Sequence, residues 1–116
     1  MRLISENQIK TIFEIDRSGE LFRRLLNIFE TDILNLILDL DSALKREDFL
    51  NAKKISHSIR SSSLNMGAAE LAIMAGNFED STPMNKNYDS ALIIEFQKCF
   101  QYTITELRGY LDLCKT

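Results

Sequence analysis

The sequence predicts an all-α fold: an antiparallel, up-down-up-down four-helix bundle with a short additional N-terminal helix. Three observations predict it. Helix breakers are scarce, with one proline and four glycines in 116 residues, while Leu, Ile, Glu, Lys, Arg and Ala dominate. Apolar residues recur at three- and four-residue spacing over long runs, the period of one helix face. Nothing along the chain reads as a strand. A chain of this length is the size of one ordinary domain, so residues 1–116 are expected to form a single bundle domain.

The first helix is expected to start at Ser5. Ser5 and Gln8 have the spacing of a capping box, and Ile4 and Ile9 that of a hydrophobic staple. It ends near Ile15. Asp16-Arg17-Ser18-Gly19 reads as a turn, with Asp16 or Ser18 as the next N-cap. The second helix runs from about Gly19 to Arg46. Leu21, Phe22, Leu25, Phe29, Ile33, Leu36, Ile37, Leu40 and Leu44 form its apolar stripe. Leu26, Ile28, Leu34 and Leu38 widen the stripe, so this helix is expected to be packed on more than one side.

Glu47 and Asp48 open the third helix, where acidic residues suit the positive end of the helix dipole. Its inward positions are Ala52, Ile55, Ile59, Ser62 and Met66. Gly67 is the expected stop, because glycine accepts left-handed backbone angles without a Cβ penalty. The fourth helix runs from Ala68 to about Asp80 with Leu71, Ala75 and Phe78 inward. Asp80 to Asp89 holds the only proline and reads as the one long loop. Asp89 is the expected cap of the last helix. Leu92, Phe96, Cys99, Phe100, Thr103, Leu107, Tyr110 and Leu111 line one face of that helix.

Composition excludes several function classes. The net charge of −3 argues against a broadly basic nucleic-acid-binding surface. No apolar stretch reaches the roughly 18–20 residues of a membrane span, so no direct membrane insertion is expected. The segment MRLISENQIK lacks the apolar region of a signal peptide. Cys99 and Cys114 lie too far apart along one straight helix to bridge each other. A reduced, cytoplasmic setting is the simpler expectation. Zinc needs several Cys or His ligands at short spacing, which are absent. No glycine-rich phosphate loop supports ATP binding.

One residue stands apart. His57 is the only histidine, so no two-histidine metal site is available. At a hundred degrees per residue it points away from Ala52 and Ile59, toward solvent. Lys53 and Lys54 precede it by one turn, and Arg60 and Ser61 follow by one turn, as surface neighbours. An exposed imidazole nitrogen can attack phosphorus and hold a phosphoryl group covalently. Nearby cations stabilise the added negative charge, and arginine does so with two parallel hydrogen bonds. Arg60, Lys53 and Lys54 are therefore the expected phosphoryl-stabilising residues. Small neighbours such as Ser58 and Ser61 leave room for a partner protein, and Leu64 adds an apolar contact.

The run from His57 to Glu79 resembles the histidine phosphotransfer (HPt) domain of two-component phosphorelays. That family's pattern is a histidine, a lysine three residues on, a small residue four on, small polar residues next, and a glycine ten on. Here those places hold His57, Arg60, Ser61, Ser62 with Ser63, and Gly67. The pattern continues through Ala68, Leu71, Ala75, and Phe78 with Glu79. The resemblance implies a phosphorelay intermediate, not an enzyme with its own ATP site. His57 would accept a phosphoryl group from the aspartyl phosphate of a response-regulator receiver domain and pass it to another receiver. Receiver domains and a hybrid sensor histidine kinase are the implied partners, and a monomer is expected. The metal ion of such transfers would belong to the receiver, so neither metal nor cofactor is expected here.

Two positions depart from the family's commonest pattern, Arg60 in place of lysine and Ser61 in place of glycine. They keep open an alternative, a non-catalytic docking module that binds a receiver or an enzyme without phosphotransfer. A purely structural bundle is a third reading.

Overall fold

The computed structural model describes residues 3–81 and 90–114, all in helices and the turns that join them. The helices are α1 (Glu6–Ile15), α2 (Glu20–Lys45), α3 (Phe49–Met66), α4 (Ala69–Ser81) and α5 (Ser90–Cys114). α3 packs between α2 and α4, and α5 packs against both α2 and α4, which closes a ring of four helices. The short connections after α2 and α3 make successive helices antiparallel. Tyr110, near the end of α5, lies beside Phe13 and Arg17, and Phe13 stacks on Phe22 at the start of α2. α5 therefore runs antiparallel to α2. α1 crosses this end of the bundle against α2 and α3. The fold is the expected all-α bundle with a short helix at one end.

Phe22, Leu26, Ile33, Leu40, Ile59, Leu71, Phe96 and Leu107 are fully buried at the centre. Each such side chain contributes about 1.5–3 kcal/mol relative to leaving it in water. The stripe of α2 is narrower than its sequence suggests. Leu26 is buried, but Ile28, Leu34 and Leu38 are exposed, so α2 packs on one broad face and not on several sides. The reason is geometric: α3 and α5 take its flanks and the short α1 touches only one end, so no described helix covers the rest of its outer surface. On α3, Ser62 is only half-buried, and Ser56 and Ser63 take the inward serine positions. Ser56 donates to the Ala52 carbonyl at 2.9 Å, which satisfies its hydroxyl inside the core.

The caps differ from expectation in instructive ways. Ser5 accepts a hydrogen bond from the Gln8 backbone, as a capping box requires. The Gln8 side chain does not return the bond. It donates instead to the Asn65 carbonyl at 3.0 Å, tying α1 to the end of α3. Gly19 is the N-cap of α2, with φ 83, and neither Asp16 nor Ser18 holds that position. Both still serve the turn: Asp16 accepts from Ser18 and from the Leu21 backbone, and Ser18 accepts from the Glu20 backbone. Glu47 belongs to the turn before α3, with φ 59, and Asp48 is the N-cap, accepting from the Asn51 backbone. α4 starts at Ala69 and continues through Asp80 to Ser81, past the expected start of the loop. The rest of that loop and the cap expected at Asp89 lie outside the described residues.

The turn between α3 and α4 positions the site. Gly67 ends α3 in the left-handed region with φ 77. The Gly67 N–H donates to Leu64 and the Ala68 N–H donates to Ser63 at 2.8 Å, so these two carbonyls of the last turn of α3 are satisfied. The N-terminal segment closes over this turn. Ser5 donates to the Gly67 carbonyl at 2.7 Å, and Glu70 donates to the Leu3 carbonyl. A Cβ at position 67 would sit 3.0 Å from the Ser5 carbonyl oxygen and 3.2 Å from Ile9 Cγ1. Glycine is needed there for its backbone angle and for the space.

Candidate functional site

α3 has two faces. Ala52, Ile55, Ser56, Ile59, Ser63 and Met66 turn inward. Leu50, Lys54, His57, Arg60, Ser61 and Leu64 turn outward at steps of three and four residues, and half-buried Lys53 sits beside them. The side chain of His57 is 61% exposed, as the rotation of the core stripe requires. α4 faces the same surface, because Gly67 and Ala68 fold it back along α3. This hairpin sets which residues meet. His57 and Glu79 each lie eleven residues from Ala68, on opposite sides of the turn. Helices rising equally per residue bring them to the same height.

They are bonded. His57 Nδ1 lies 2.9 Å from Glu79 Oε1 and 3.2 Å from Oε2. A carboxylate can only accept, so in the neutral ring Nδ1 carries the proton and donates it to Glu79. The lone pair is then on Nε2, the nitrogen farther from the carboxylate. Glu79 itself is well covered, with its side chain 17% exposed, so it is held by α4 rather than swinging in solvent. A second group that orients an imidazole and fixes its tautomer is the arrangement that readies the other nitrogen for chemistry.

Leu50, Lys53, Lys54, His57, Ser58 and Glu79 line one open depression. Both lysines thus line the same depression as the ring. Ser58 lies there too, with its hydroxyl donating back to the Lys54 carbonyl at 3.3 Å. Arg60 and Leu64 line a neighbouring depression with Ala72, Ile73, Gly76 and Asp80 of α4. Ser61 is exposed and lines neither. Leu50 in the ring's own depression and Leu64 and Ile73 in its neighbour offer exposed apolar surface. Among the described residues, no ion pair ties down Lys53, Lys54 or Arg60.

Sequence reasoning missed two members of this surface. Glu79 closes the motif that begins at His57, but its bond to the ring depends on inter-helix register, which linear spacing does not display. Leu50 was findable: it lies seven residues before His57, two turns along the same stripe. Cys99 stands apart from the site. It is buried, and burial pushes its thiol pKa up, Thr103 pulling the other way and the charge of Glu70 adding to the rise. That thiol stays protonated and is a poor nucleophile. The side chain of Cys114 lies outside the described residues.

Among the described residues, no group of three or more His, Cys, Asp or Glu side chains is arranged to hold a metal ion. Among the same residues, no helix is long and apolar enough to cross a membrane. Comparison with known proteins gives one finding. The family model described as Hpt domain matches residues 24–110, most of the chain and all of α3 and α4. No curated protein and no solved structure matches the chain.

Proposed function

The chain belongs to the Hpt domain family, whose members carry phosphoryl groups on histidine in two-component phosphorelays, and we propose that His57 is the phosphorylated residue here. The observation that carries this reading is the bond from His57 Nδ1 to Glu79. It leaves Nε2 as the nucleophile on an exposed ring. In the proposed step the Nε2 lone pair attacks the phosphorus of a receiver's aspartyl phosphate. The N–P bond forms as the P–O bond to the aspartate breaks, and the aspartate leaves as a carboxylate. The ring becomes a phosphorylated imidazolium that keeps its Nδ1 proton. The negative charge of Glu79 offsets that positive charge, as a buried carboxylate does for a catalytic imidazole. The reverse sequence delivers the group to a second receiver aspartate.

Lys53 and Lys54 line the same depression as the ring, where they offset the charge of the arriving phosphoryl oxygens. Arg60 adds a planar donor one turn along α3. The receiver docks over the α3–α4 face. Leu50, Leu64 and Ile73 supply the apolar contacts, and Ser58 and Ser61 keep the approach to Nε2 open. The domain is a carrier, with a receiver on each side of it and a hybrid sensor kinase as the upstream source. The docking-only alternative has no use for a carboxylate bonded to Nδ1, and the phosphotransfer reading does.

The test is incubation of the protein with a receiver domain charged by radiolabelled acetyl phosphate. Wild-type protein is expected to take up acid-labile, base-stable label, and His57→Gln is expected to take up none. Label retained in His57→Gln sinks the assignment.

A further inference from the structure

Gly76 and Gly109 both lie inside helices, where glycine is a poor choice because it loses the most backbone freedom on folding. Their surroundings differ. A Cβ added at Gly109 meets nothing within 4 Å. A Cβ added at Gly76 meets Arg60 Cδ and Nε at 3.4 Å each, and Cζ at 3.9 Å. These three atoms join the arginine stem to its guanidinium. Arg60 therefore reaches across from α3 and lies over the bare backbone of α4. A methyl at position 76 would just touch it at ordinary contact distance. A longer side chain directed the same way would compete with the guanidinium for that space.

The hairpin register explains the pairing. Arg60 and Gly76 each lie eight residues from Ala68, one turn nearer the hairpin turn than His57 and Glu79. Arginine is among the side chains with the most rotamer freedom to lose when it is held. A seat that restricts it before a partner arrives removes part of that cost from the binding step. The seat also gives a physical reason for arginine at position 60. A long side chain with a planar end can cross the groove and lie flat on a backbone.

We propose that Gly76 is a positioning residue: its missing side chain is the seat on α4 that holds the Arg60 guanidinium one turn from His57. The proposal rests on the reading of His57 as the phosphorylated residue. Its test is a double-mutant cycle in the full chain. Gly76→Ala, Gly76→Gln and Gly76→Leu are each made with Arg60 and with Arg60→Ala. The readouts are the initial rate of label uptake from the charged receiver and the NMR resonance of the Arg60 Nε–H group.

With Arg60 present, Gly76→Gln and Gly76→Leu are expected to slow uptake about five- to tenfold, and Gly76→Ala less. In the Arg60→Ala background the same changes should cost less than about twofold, the mark of a coupled pair. The Arg60 Nε–H resonance should shift in the Gln and Leu variants. Gly109→Ala, remote from the site, should leave uptake unchanged. Equal slowing in both backgrounds overturns the proposal, since a merely structural glycine would behave that way. So does an Arg60 resonance that stays in place in Gly76→Leu. Wild-type protein that takes no label overturns the reading of His57 instead, and the resonance alone then decides whether the seat exists.

Discussion

The α3–α4 seam and the α2–α5 seam belong to one bundle but are filled with different residues. α2 and α5 bury Phe22, Leu26, Phe29, Phe96, Phe100 and Leu107, and the rings of Phe29 and Phe100 meet with centroids 6.5 Å apart. α3 and α4 bury small side chains, Ala52, Ser56, Ser63, Ala72 and Ala75, in equal number with large ones. The distance between helices follows the side chains at their contact. α3 and α4 accordingly run closer together than α2 and α5. The first seam supplies apolar burial, which holds the bundle. The second supplies proximity, which lets an imidazole on one helix bond a carboxylate on the next. Small residues carry a cost: Ser63 Oγ is buried without a protein partner.

The α2–α5 seam is most sensitive at Phe100, which is buried against Phe29. Phe100→Ala should lower stability by about 3–5 kcal/mol in urea unfolding, the usual cost of emptying a buried aromatic site. Label uptake per folded molecule should nevertheless survive, because the α3–α4 seam is untouched. Ala75→Leu should do the reverse. Overpacking costs about 1–3 kcal/mol, less than the Phe100 cavity, yet it wedges α4 away from α3. Uptake should then fall by more than the unfolded fraction explains. If both variants lose activity only in step with stability, the two seams do not have separate roles.

The two hairpin turns sharpen the same contrast. Gly67→Ala places a Cβ at φ 77 and against the Ser5 carbonyl, so it should cost about 1–3 kcal/mol and disturb the His57–Glu79 register. Glu47, in the turn before α3, already carries a side chain at φ 59. Glu47→Gly relieves that strain and should raise stability by up to about 1 kcal/mol without changing uptake. Matched urea curves and uptake rates check both. A Gly67→Ala protein with normal uptake would show that the closed turn does not govern the register.

The smallest effect is expected away from both seams, at Asp16. Its carboxyl pKa is held below the usual value first by the Ser18 hydroxyl and then by the backbone N–H groups of Leu21 and Ser18. The sign follows from linkage. A depressed pKa contributes stability that is full above the ordinary carboxylate value and is lost as pH falls through the lowered one. Melting curves followed downward from about pH 6 should therefore lose part of their acid-side slope in Asp16→Asn. An unchanged slope would assign the acid sensitivity to other carboxylates.

Much of this protein was legible from residue order. Helix ends fell within a residue or two of expectation, because Ser5, Asp48 and Gly67 act through bonds to their own neighbours. The exposure of His57 followed from the rotation of Ile55, Ile59 and Met66 into the core. Where reading failed, the failure was one of surroundings. Ile28, Leu34 and Leu38 are apolar at helical spacing, yet they are left exposed, and periodicity cannot count neighbouring helices. Gln8 has capping-box spacing, but its side chain found a better acceptor, the Asn65 carbonyl of another helix.

The site divides along the same line. The sequence alone determined that one histidine stands on a wet helix face with Lys53, Lys54 and Arg60 near it, since all four share a single helix whose geometry is known in advance. Only the tertiary structure decided that Glu79 holds Nδ1, that Gly76 lies beneath Arg60, and that the cations fall into two depressions. Those relations cross from α3 to α4. They depend on where the Gly67 turn reverses the chain and on how closely small residues let the two helices approach, and neither quantity is written in the spacing along one helix.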